Sequence, residues 1–391
     1  MVINSFQFAK TPRLIFGAKK INDCVNIIKS YGDTVLIVTG ARSFRVSPQW
    51  VNLQKSLSEY SIKFYEVIID SEPSPVMIDK AVRDFKDKDL KSVISIGGGS
   101  VIDAGKAISA MLTQDTSIVD FLEGIGAKTH NGVKLPFIAV PTTSGTGSEA
   151  TKNAVISNVF ANGFKASLRH DNLVPDVAIL DPELTLGLPP EISAACGMDA
   201  FTQLLESYVS IKASPMTDAL ALSGIMALKD SLIQSCTTDS KNIEIRANMA
   251  YASYLSGVTL ANAGLGVVHG IASAIGGFFN IPHGVVCGTL MSKAVEMTIL
   301  KLRSENAEGL GKYAAVGRIL SGINDLDQSS SCDFLIDKIH EWTNLLKISK
   351  LSAYGVRAED FDKIIKKSGN KENPVKLDNE EIRSILGSRL G

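Results

Sequence analysis

Residues 92–112, SVISIGGGSVIDAGKAISAML, contain a complete strand-to-helix unit built around three consecutive glycines. SVISI is a short β-branched run that predicts a buried strand, and the residues after the glycines are apolar at helical spacing. Glycines let backbone N–H groups approach a phosphate closely, and a helix N-terminus favours negative charge. We therefore predict a phosphate-binding turn at Gly97, Gly98 and Gly99. Ser100 is predicted to cap the helix, with Asp103 in its first turn. The alternative is an ordinary glycine-rich turn.

Three similar runs flank this unit: TVLIVTG (34–40), KFYEVIID (63–70) and PFIAVPT (136–142). The strands starting at 34, 63 and 92 are about 29 residues apart with helical patterns between them, which is the length of a βαβ unit. We predict a Rossmann-like, doubly wound parallel sheet, in which the loops after the strands lie on one edge and bind ligands. A second hydroxyl-rich loop, PTTSGTGSE (141–149), follows the fourth run. Its predicted cofactor-binding residues are Thr142, Thr143, Ser144, Thr146 and Ser148.

The second half of the sequence has a different pattern of apolar residues, typical of helices and not of strands. Strand patterns nearly vanish after about residue 189, and long amphipathic stretches such as 217–234 and 244–263 take over. Two consecutive prolines, Pro189 and Pro190, suit a domain border, because a proline presets the first turn of a helix. We predict an α/β domain over residues 1–187 and an all-helical domain over residues 188–391.

Four potential metal ligands lie in the helical half. Asp199 and Gln203 are four residues apart and therefore share one face of a helix. His269 and His283 are two of the chain's five histidines and fall within one glycine-rich stretch of 15 residues. Oxygen and imidazole ligands together suit a borderline divalent ion such as Fe²⁺ or Zn²⁺. If the four groups converge, the chain carries a catalytic Lewis acid.

Composition excludes several classes of protein. The 40 Lys and Arg residues balance 41 Asp and Glu residues, which argues against a nucleic-acid or membrane-binding surface. No apolar run reaches the ~18 residues needed to cross a bilayer, and the N-terminal residues lack a signal-peptide pattern. The five cysteines are scattered and form no C-x-x-C motif, so we expect reduced thiols in a cytoplasmic protein.

Six motifs in order, PRLIFGAKKI, GGGSVIDAGKA, PTTSGTGSEAT, VPDVAILDPELT, CGMDA and HGIASAIGGFFNIPHG, resemble those of the iron-containing (group III) alcohol dehydrogenase family. The resemblance runs from about Pro12 to the terminal helix. It implies a dehydroquinate synthase-like fold, a cleft between the domains holding NAD or NADP with a divalent metal (Fe²⁺, in some members Zn²⁺), a small alcohol or aldehyde substrate, and a homodimer.

Carried over position by position, the resemblance makes Asp199, His269 and His283 metal ligands, with the two histidines in catalytic roles. The fourth ligand is usually histidine, but this chain has Gln203, whose amide oxygen is a neutral and weaker donor. A further histidine facing the substrate in many members is replaced by Ser273. A serine hydroxyl relays hydrogen bonds but does not titrate near neutrality, so we interpret this change as one of substrate specificity.

The resemblance also bears on cofactor choice. NAD-dependent members often end the first strand with an aspartate for the ribose 2′-hydroxyl, but this chain has Gly40 followed by Ala41 and Arg42. Without that carboxylate a 2′-phosphate is tolerated, and Arg42 could pair with it, so NADP is permitted. The alternative is a solvated Arg42 with relaxed NAD use. Lys165 matches a family position near the cofactor, and a solvated surface lysine is equally compatible.

The predicted activity is an NAD(P)-dependent, metal-assisted exchange of a hydride between nicotinamide and an alcohol or carbonyl carbon. Two alternatives remain open. One is a metal-independent reductase of the same fold, similar to maleylacetate reductases. The other is a catalytically inactive relative that binds dinucleotide as a sensor.

Overall fold

The computed structural model describes residues 5–158, 163–237, 239–305 and 308–391. The chain divides into two compact units. The first contains Ala9–Asn158 and Gly163–Leu188, and the second contains Pro189–Gly391 with residues 5–8 of the N-terminus.

The first unit holds the strands and four helices. The strands are β1 (Arg13–Phe16), β2 (Thr34–Gly40), β3 (Lys63–Ile69), β4 (Ser92–Gly97), β5 (Phe137–Pro141), β6 (Asn153–Asn158), β7 (Phe164–Arg169) and β8 (Val177–Leu180). The helices are α1 (Cys24–Tyr31), α2 (Pro48–Glu59), α3 (Pro75–Phe85) and α4 (Gly99–Met111).

Six parallel strands form the main sheet, in the order β1-β8-β5-β4-β2-β3. Successive residues of each central strand face opposite sides, and both sides are buried. Leu36 and Val38 join the core beneath α3 and α4, whereas Val35 and Ile37 join the core beneath α1 and α2. The four predicted strands and the doubly wound arrangement are confirmed.

The register brings three strand ends together. Thr39 pairs with Ile96 and Gly97 pairs with Pro141, so Gly40, Gly97 and the loop after Pro141 lie along one edge of the sheet. The expectation that both hydroxyl- and glycine-rich loops share an edge is confirmed.

Four strands were not predicted. β1 and β8 have only four residues each and pair with one another at one end of the sheet. β6 and β7 form a separate antiparallel hairpin. β1 is a largely exposed edge strand, so its alternation of apolar residues is weak, whereas β8 is completely buried but has only four residues, too few for a period to be recognised.

The second unit is helical, and no strand follows Leu180 in the described part of the chain. Its helices are α5 (Pro190–Val209), α6 (Pro215–Gln234), α7 (Ile243–Ala263), α8 (Val267–Phe278), α9 (His283–Ser304), α10 (Leu310–Ser321), α11 (Gln328–Leu345), α12 (Phe361–Lys367) and α13 (Asn379–Gly387). As predicted, Pro190 opens a helix. α5 packs against α6, α7 and α9, and nearly every residue from Ser193 to Val209 is buried.

Over the described ranges, no individual helix is both long and apolar enough to cross a bilayer. One sharply bent pair, α7 with α8, meets those two criteria together.

Candidate active site

Three helices of the second unit bring four metal-ligating side chains to one point. α5 supplies an aspartate, α8 a histidine, and the first turns of α9 a histidine and a cysteine. One ligand atom of each lies within 4.8 Å of those of the others: Asp199, His269, His283 and Cys287.

The contacts within this cluster are short. Asp199 Oδ1 lies 3.3 Å from His269 Nε2 and 3.8 Å from His283 Nε2. Two ligands each ~2.0 Å from a tetrahedral ion are about 3.3 Å apart, so these separations leave room for one cation between the side chains. The donor set therefore fits a divalent transition metal.

Glycines let α9 approach α5 closely beside Asp199. A Cβ on Gly284 would lie 2.3 Å from the carbonyl oxygen of Ala195, and one on Gly288 would lie 2.9 Å from Cβ of Met198. Because α9 begins at His283, its first turns carry His283 and the residue four positions later on one face. Close helix packing and this spacing together aim both side chains at Asp199.

A second carboxylate, Glu206, orients His269. Glu206 lies two turns along α5 from Asp199, and its Oε2 is 2.7 Å from His269 Nδ1. Its Oε1 accepts a hydrogen bond of 2.7 Å from the backbone N–H of Val268, in the first turn of α8. A Cβ on Gly266 would lie only 2.8 Å from this carboxylate. Glu206 thus stabilises the positive end of α8 and turns His269 Nε2 toward the cluster.

Burial and charge perturb the groups of the cluster in different directions. Burial, the largest influence, would raise the pKa of Asp199, but His283 and His269 together lower it below its ordinary value. Burial opposes a charge on His269, yet Cys287 and Glu206 raise the pKa of the imidazole well above its ordinary value. Burial raises the pKa of the Cys287 thiol to about 11. Asp199 is therefore held in its anionic form, and a buried carboxylate beside two imidazoles suits a cation.

Gln203 lies one turn beyond Asp199 on α5, as predicted, and is buried. Its Oε1 is 2.8 Å from the hydroxyl oxygen of Ser256 on α7, and the two groups share a hydrogen bond. Ser273 lies on α8 with an exposed side chain, and its hydroxyl donates to the carbonyl oxygen of His269, one turn earlier, at 2.7 Å. Both residues therefore have hydrogen-bond partners inside the helical unit.

Replacing Glu206 with glutamine is expected to weaken metal binding by about 10- to 100-fold, because an amide at this position no longer fixes the His269 tautomer. The dissociation constant can be measured by competition with a chromophoric chelator. Glu296→Gln is the matched control, since Glu296 pairs with Lys293 on α9. Equal metal affinity in the Glu206 variant and the wild type would contradict the orienting role.

The two loops predicted to bind a dinucleotide contact one another in the first unit. A Cβ on Gly98 would lie 3.4 Å from Thr143 Cγ2, and one on Gly99 would lie 2.7 Å from Thr146 Cγ2. No side chain of the described residues caps α4, which starts immediately after Gly98. The first backbone N–H groups of α4 are therefore left for an anion.

One prediction at this turn is wrong. The N-cap of α4 is Gly98, so Ser100 lies inside the helix, where its hydroxyl donates to Glu72 Oε1 at 2.9 Å instead of capping the backbone. The third glycine already has helical geometry, which shifts the helix start two residues toward the N-terminus. For the same reason Asp103 is the fifth residue of α4, and the first turn of the helix contains no acidic residue, so its predicted place in the first turn is also wrong.

Asp103 and Lys106 fasten α4 to the second loop. The Ser148 hydroxyl donates to Asp103 Oδ1, and the Val155 N–H donates to Asp103 Oδ2 at 3.0 Å. Lys106 is fully buried and donates to the carbonyl oxygens of Ser148 at 2.8 Å and Thr151 at 2.9 Å. These bonds hold the loop of residues 141–149 against the glycine triplet.

The remaining predicted cofactor residues lie nearby in the same unit. Gly40 ends β2, Arg42 is exposed two residues later, and Lys165 is half-buried on β7. Lys165 Nζ is 3.5 Å from Glu72 Oε2, so Glu72 contacts both Lys165 and Ser100.

Sequence reasoning missed Cys287 and Glu206. The signals were present: Cys287 follows His283 by four residues, and Glu206 follows Asp199 by seven, so each pair shares a helix face. In the sequence, Cys287 is one of five scattered cysteines outside any recognised motif, and nothing near Glu206 indicates which helix it would contact.

Comparison with known proteins places these features in a family. Residues 11–182 match the family described as iron-containing alcohol dehydrogenase. Residues 193–390 match the C-terminal domain of the Fe-containing alcohol dehydrogenase family. Together the matches span both units.

Individual relatives are similar to this chain over most of their length. Alcohol dehydrogenase 4 of Saccharomyces cerevisiae is 32% identical over 385 residues, covering 96% of each chain. The NAD-dependent methanol dehydrogenase of Bacillus methanolicus is 35% identical over 333 residues, covering 82% of each. The solved alcohol dehydrogenase from Oenococcus oeni superposes with a TM-score of 0.88 at 29% identity, covering 98% of this chain and 100% of that one. The chain therefore belongs to the iron-containing alcohol dehydrogenase family and is an oxidoreductase that acts on alcohols.

Proposed function

We propose that the protein exchanges a hydride between the nicotinamide of NAD or NADP and the carbon of an alcohol or its carbonyl counterpart, with a divalent metal held in the helical unit. The observation that carries this proposal is the convergence of Asp199, His269 and His283 on one point. When bound there, a divalent ion supplies Lewis acidity toward the substrate oxygen.

The protein's own residues hold and orient the metal. Asp199 is a buried anionic ligand, and the two imidazoles offer Nε2 atoms from different helices. Glu206 keeps the Nδ1 side of His269 occupied, so that Nε2 remains the ligand atom. Two side chains are candidates for the fourth position: Gln203, from the sequence, and Cys287, from the structure.

The dinucleotide is proposed to bind at the edge of the parallel sheet. The uncapped start of α4 and the adjoining glycines suit the pyrophosphate, and the hydroxyl-rich loop 141–149 suits the ribose and nicotinamide. Gly99 supports this proposal because a side chain there would collide with Thr146.

Ser273 is proposed to face the substrate and to set specificity. Its hydroxyl is tied to the carbonyl of His269 and does not titrate near neutral pH. Proton exchange with solvent therefore relies on water or on the cofactor ribose instead of a side-chain imidazole at this position.

Replacing Arg42 with alanine tests cofactor choice. If Arg42 pairs with a 2′-phosphate, the variant is expected to bind NADPH about tenfold more weakly, the loss of one exposed charge-assisted hydrogen bond, and NADH unchanged. Fluorescence titration of both cofactors measures the two dissociation constants. Arg13→Ala is a control on β1. A strong NADH preference in the wild type, unaltered by the substitution, would contradict the pairing.

The central experiment separates this function from its alternatives. The purified protein is analysed for metal and then tested for NAD(P)H oxidation with a panel of aldehydes, before and after chelation. Turnover that chelation abolishes and added metal restores supports the proposal. Turnover that survives complete metal removal favours a metal-independent reductase. Dinucleotide binding without turnover on any carbonyl favours a catalytically inactive relative.

Substrate and assembly extend the proposal. We propose a small alcohol or aldehyde, a class consistent with a relative named for methanol. The family resemblance supports a homodimer, which light scattering tests directly. The cysteines are scattered and form no disulfide within the described residues, which supports a cytoplasmic location.

A further inference from the structure

The cysteine of the candidate metal centre has a role that the family's aspartate-and-histidine pattern does not assign. We infer that the Cys287 thiolate, and not the Gln203 amide, is the fourth protein ligand of the metal, and that it makes the centre selective for zinc over iron. This inference rests on the proposed function, because it requires that a metal binds at Asp199, His269 and His283.

The position of the sulfur atom carries the inference. Cys287 Sγ lies 3.6 Å from His269 Nε2 and 3.7 Å from His283 Nε2. A thiolate sulfur at ~2.3 Å and an imidazole nitrogen at ~2.0 Å from one tetrahedral ion are about 3.5 Å apart. The sulfur therefore already has the separation from both nitrogens that a shared ion requires.

Helix geometry explains why the sulfur faces the cluster. Cys287 lies four residues after His283, and helical side chains lean toward the N-terminus, so its sulfur lies over the turn that begins at His283. The residue is completely buried. Gly288, next to it, packs against Met198 and keeps this part of α9 close to the helix that carries Asp199.

Gln203 is less suited to the position. Its amide oxygen shares a hydrogen bond with Ser256 on α7, a neighbour outside the metal cluster. The amide is also uncharged, whereas a thiolate is a charged and strong donor. In this chain, the loss of the usual histidine at position 203 is compensated by a ligand from α9.

A thiolate ligand changes which metal ion the site is expected to prefer. A set of one thiolate, two imidazoles and one carboxylate is softer than a set of imidazole and oxygen donors, and thiolates favour zinc. Mixed cysteine and histidine sites hold catalytic zinc in other alcohol-oxidising enzymes, so this donor set is compatible with the activity.

Cobalt substitution tests the ligand without relying on turnover. The full-length protein is stripped with a chelator and reloaded with Co²⁺, which gives an intense near-ultraviolet charge-transfer band only when a thiolate is bound. The band is expected in the wild type and in Gln203→Leu, and it should be lost in Cys287→Ser, which keeps the size of the side chain. Cys332→Ala, a buried cysteine on α11, is the matched control and should retain the band.

Metal affinities provide the second readout. Cys287→Ser is expected to bind Zn²⁺ about 100-fold more weakly and to lose about tenfold of the preference for Zn²⁺ over Fe²⁺. Wild-type protein that binds Co²⁺ without a thiolate band would overturn the role of Cys287 while leaving the metal-assisted function intact. Loss of metal binding in Gln203→Leu but not in Cys287→Ser would overturn it in favour of the amide. Wild-type protein that binds no metal would overturn both the inference and the metal-assisted function.

Discussion

Replacing His269 with alanine is expected to release the metal and to lower kcat/KM for alcohol oxidation by about 10³-fold or more, the scale of lost Lewis-acid stabilisation of a developing charge. His269 is central to the cluster. Its Nε2 lies 3.3 Å from Asp199 Oδ1 and 3.6 Å from Cys287 Sγ, and its Nδ1 contacts Glu206. Removing the imidazole takes away one ligand and leaves Glu206 without its partner. His283→Ala removes a ligand from α9 and is expected to have a similar effect.

Metal content per chain and steady-state kinetics measure this result together. His340→Ala is the matched control, because His340 is exposed on α11 of the same unit. Dinucleotide binding by the first unit is expected to remain unchanged in all three variants, which distinguishes loss of metal from loss of folding. Wild-type turnover in both His269→Ala and His283→Ala would refute the metal centre.

Replacing Gly99 with alanine is expected to weaken dinucleotide binding by about 10- to 100-fold, which corresponds to the loss of one hydrogen bond to a charged phosphate, worth about 1.5–3 kcal/mol. The new Cβ would lie 2.7 Å from Thr146 Cγ2 and 2.8 Å from Thr146 Oγ1. Contacts this short force the loop away from the start of α4. Because Asp103 and Lys106 fasten the other end of the loop, it cannot shift without strain.

A double substitution identifies the cause. Thr146→Ala removes the two nearest atoms, so the combination of Gly99→Ala with Thr146→Ala is expected to bind dinucleotide more tightly than Gly99→Ala alone. Gly187→Ala is the control, since no heavy atom of the described chain lies within 4 Å of the added Cβ. Metal content should be unaffected, because the proposed metal ligands belong to the other unit. Unchanged cofactor affinity in Gly99→Ala would show that the turn does not hold the dinucleotide.

The parallel sheet could be predicted because its central strands are buried on both faces. Such strands have continuous β-branched runs, and the 29-residue spacing reflects the length of one βαβ crossover. The sequence did not predict β1, β8 or the β6–β7 hairpin. β1 is mostly exposed, β8 is buried but only four residues long, and the hairpin lies outside the parallel sheet and its regular spacing. The misplaced cap at Ser100 has a local cause, since three glycines allow several helix starts.

The candidate metal centre could be predicted only in part from the sequence. Asp199 with Gln203, and His269 with His283, were selected by residue type and spacing. The structure brings Asp199, His269 and His283 together with Cys287, and the Gln203 amide oxygen accepts a hydrogen bond from Ser256. Gln203 was named from its spacing to Asp199 and because it occupies the position of the family's fourth ligand, whereas no pattern in the sequence marked Cys287 as a ligand. The position of a side chain across a helix interface depends on how closely two helices pack.

The sequence alone determined four strands of the parallel sheet, the change to helices after Pro189, the glycine-rich edge of the sheet, and the aspartate and histidines proposed as metal ligands, because these depend on local periodicity and residue type. Only the tertiary structure revealed that Glu206 supports His269 and that Cys287 faces both histidines. Those contacts join α5 to α8 and α8 to α9. The first of them depends on Gly266, because a Cβ at this position would lie 2.8 Å from the Glu206 carboxylate. Spacing along one helix fixes which residues share a face, but packing decides what that face meets.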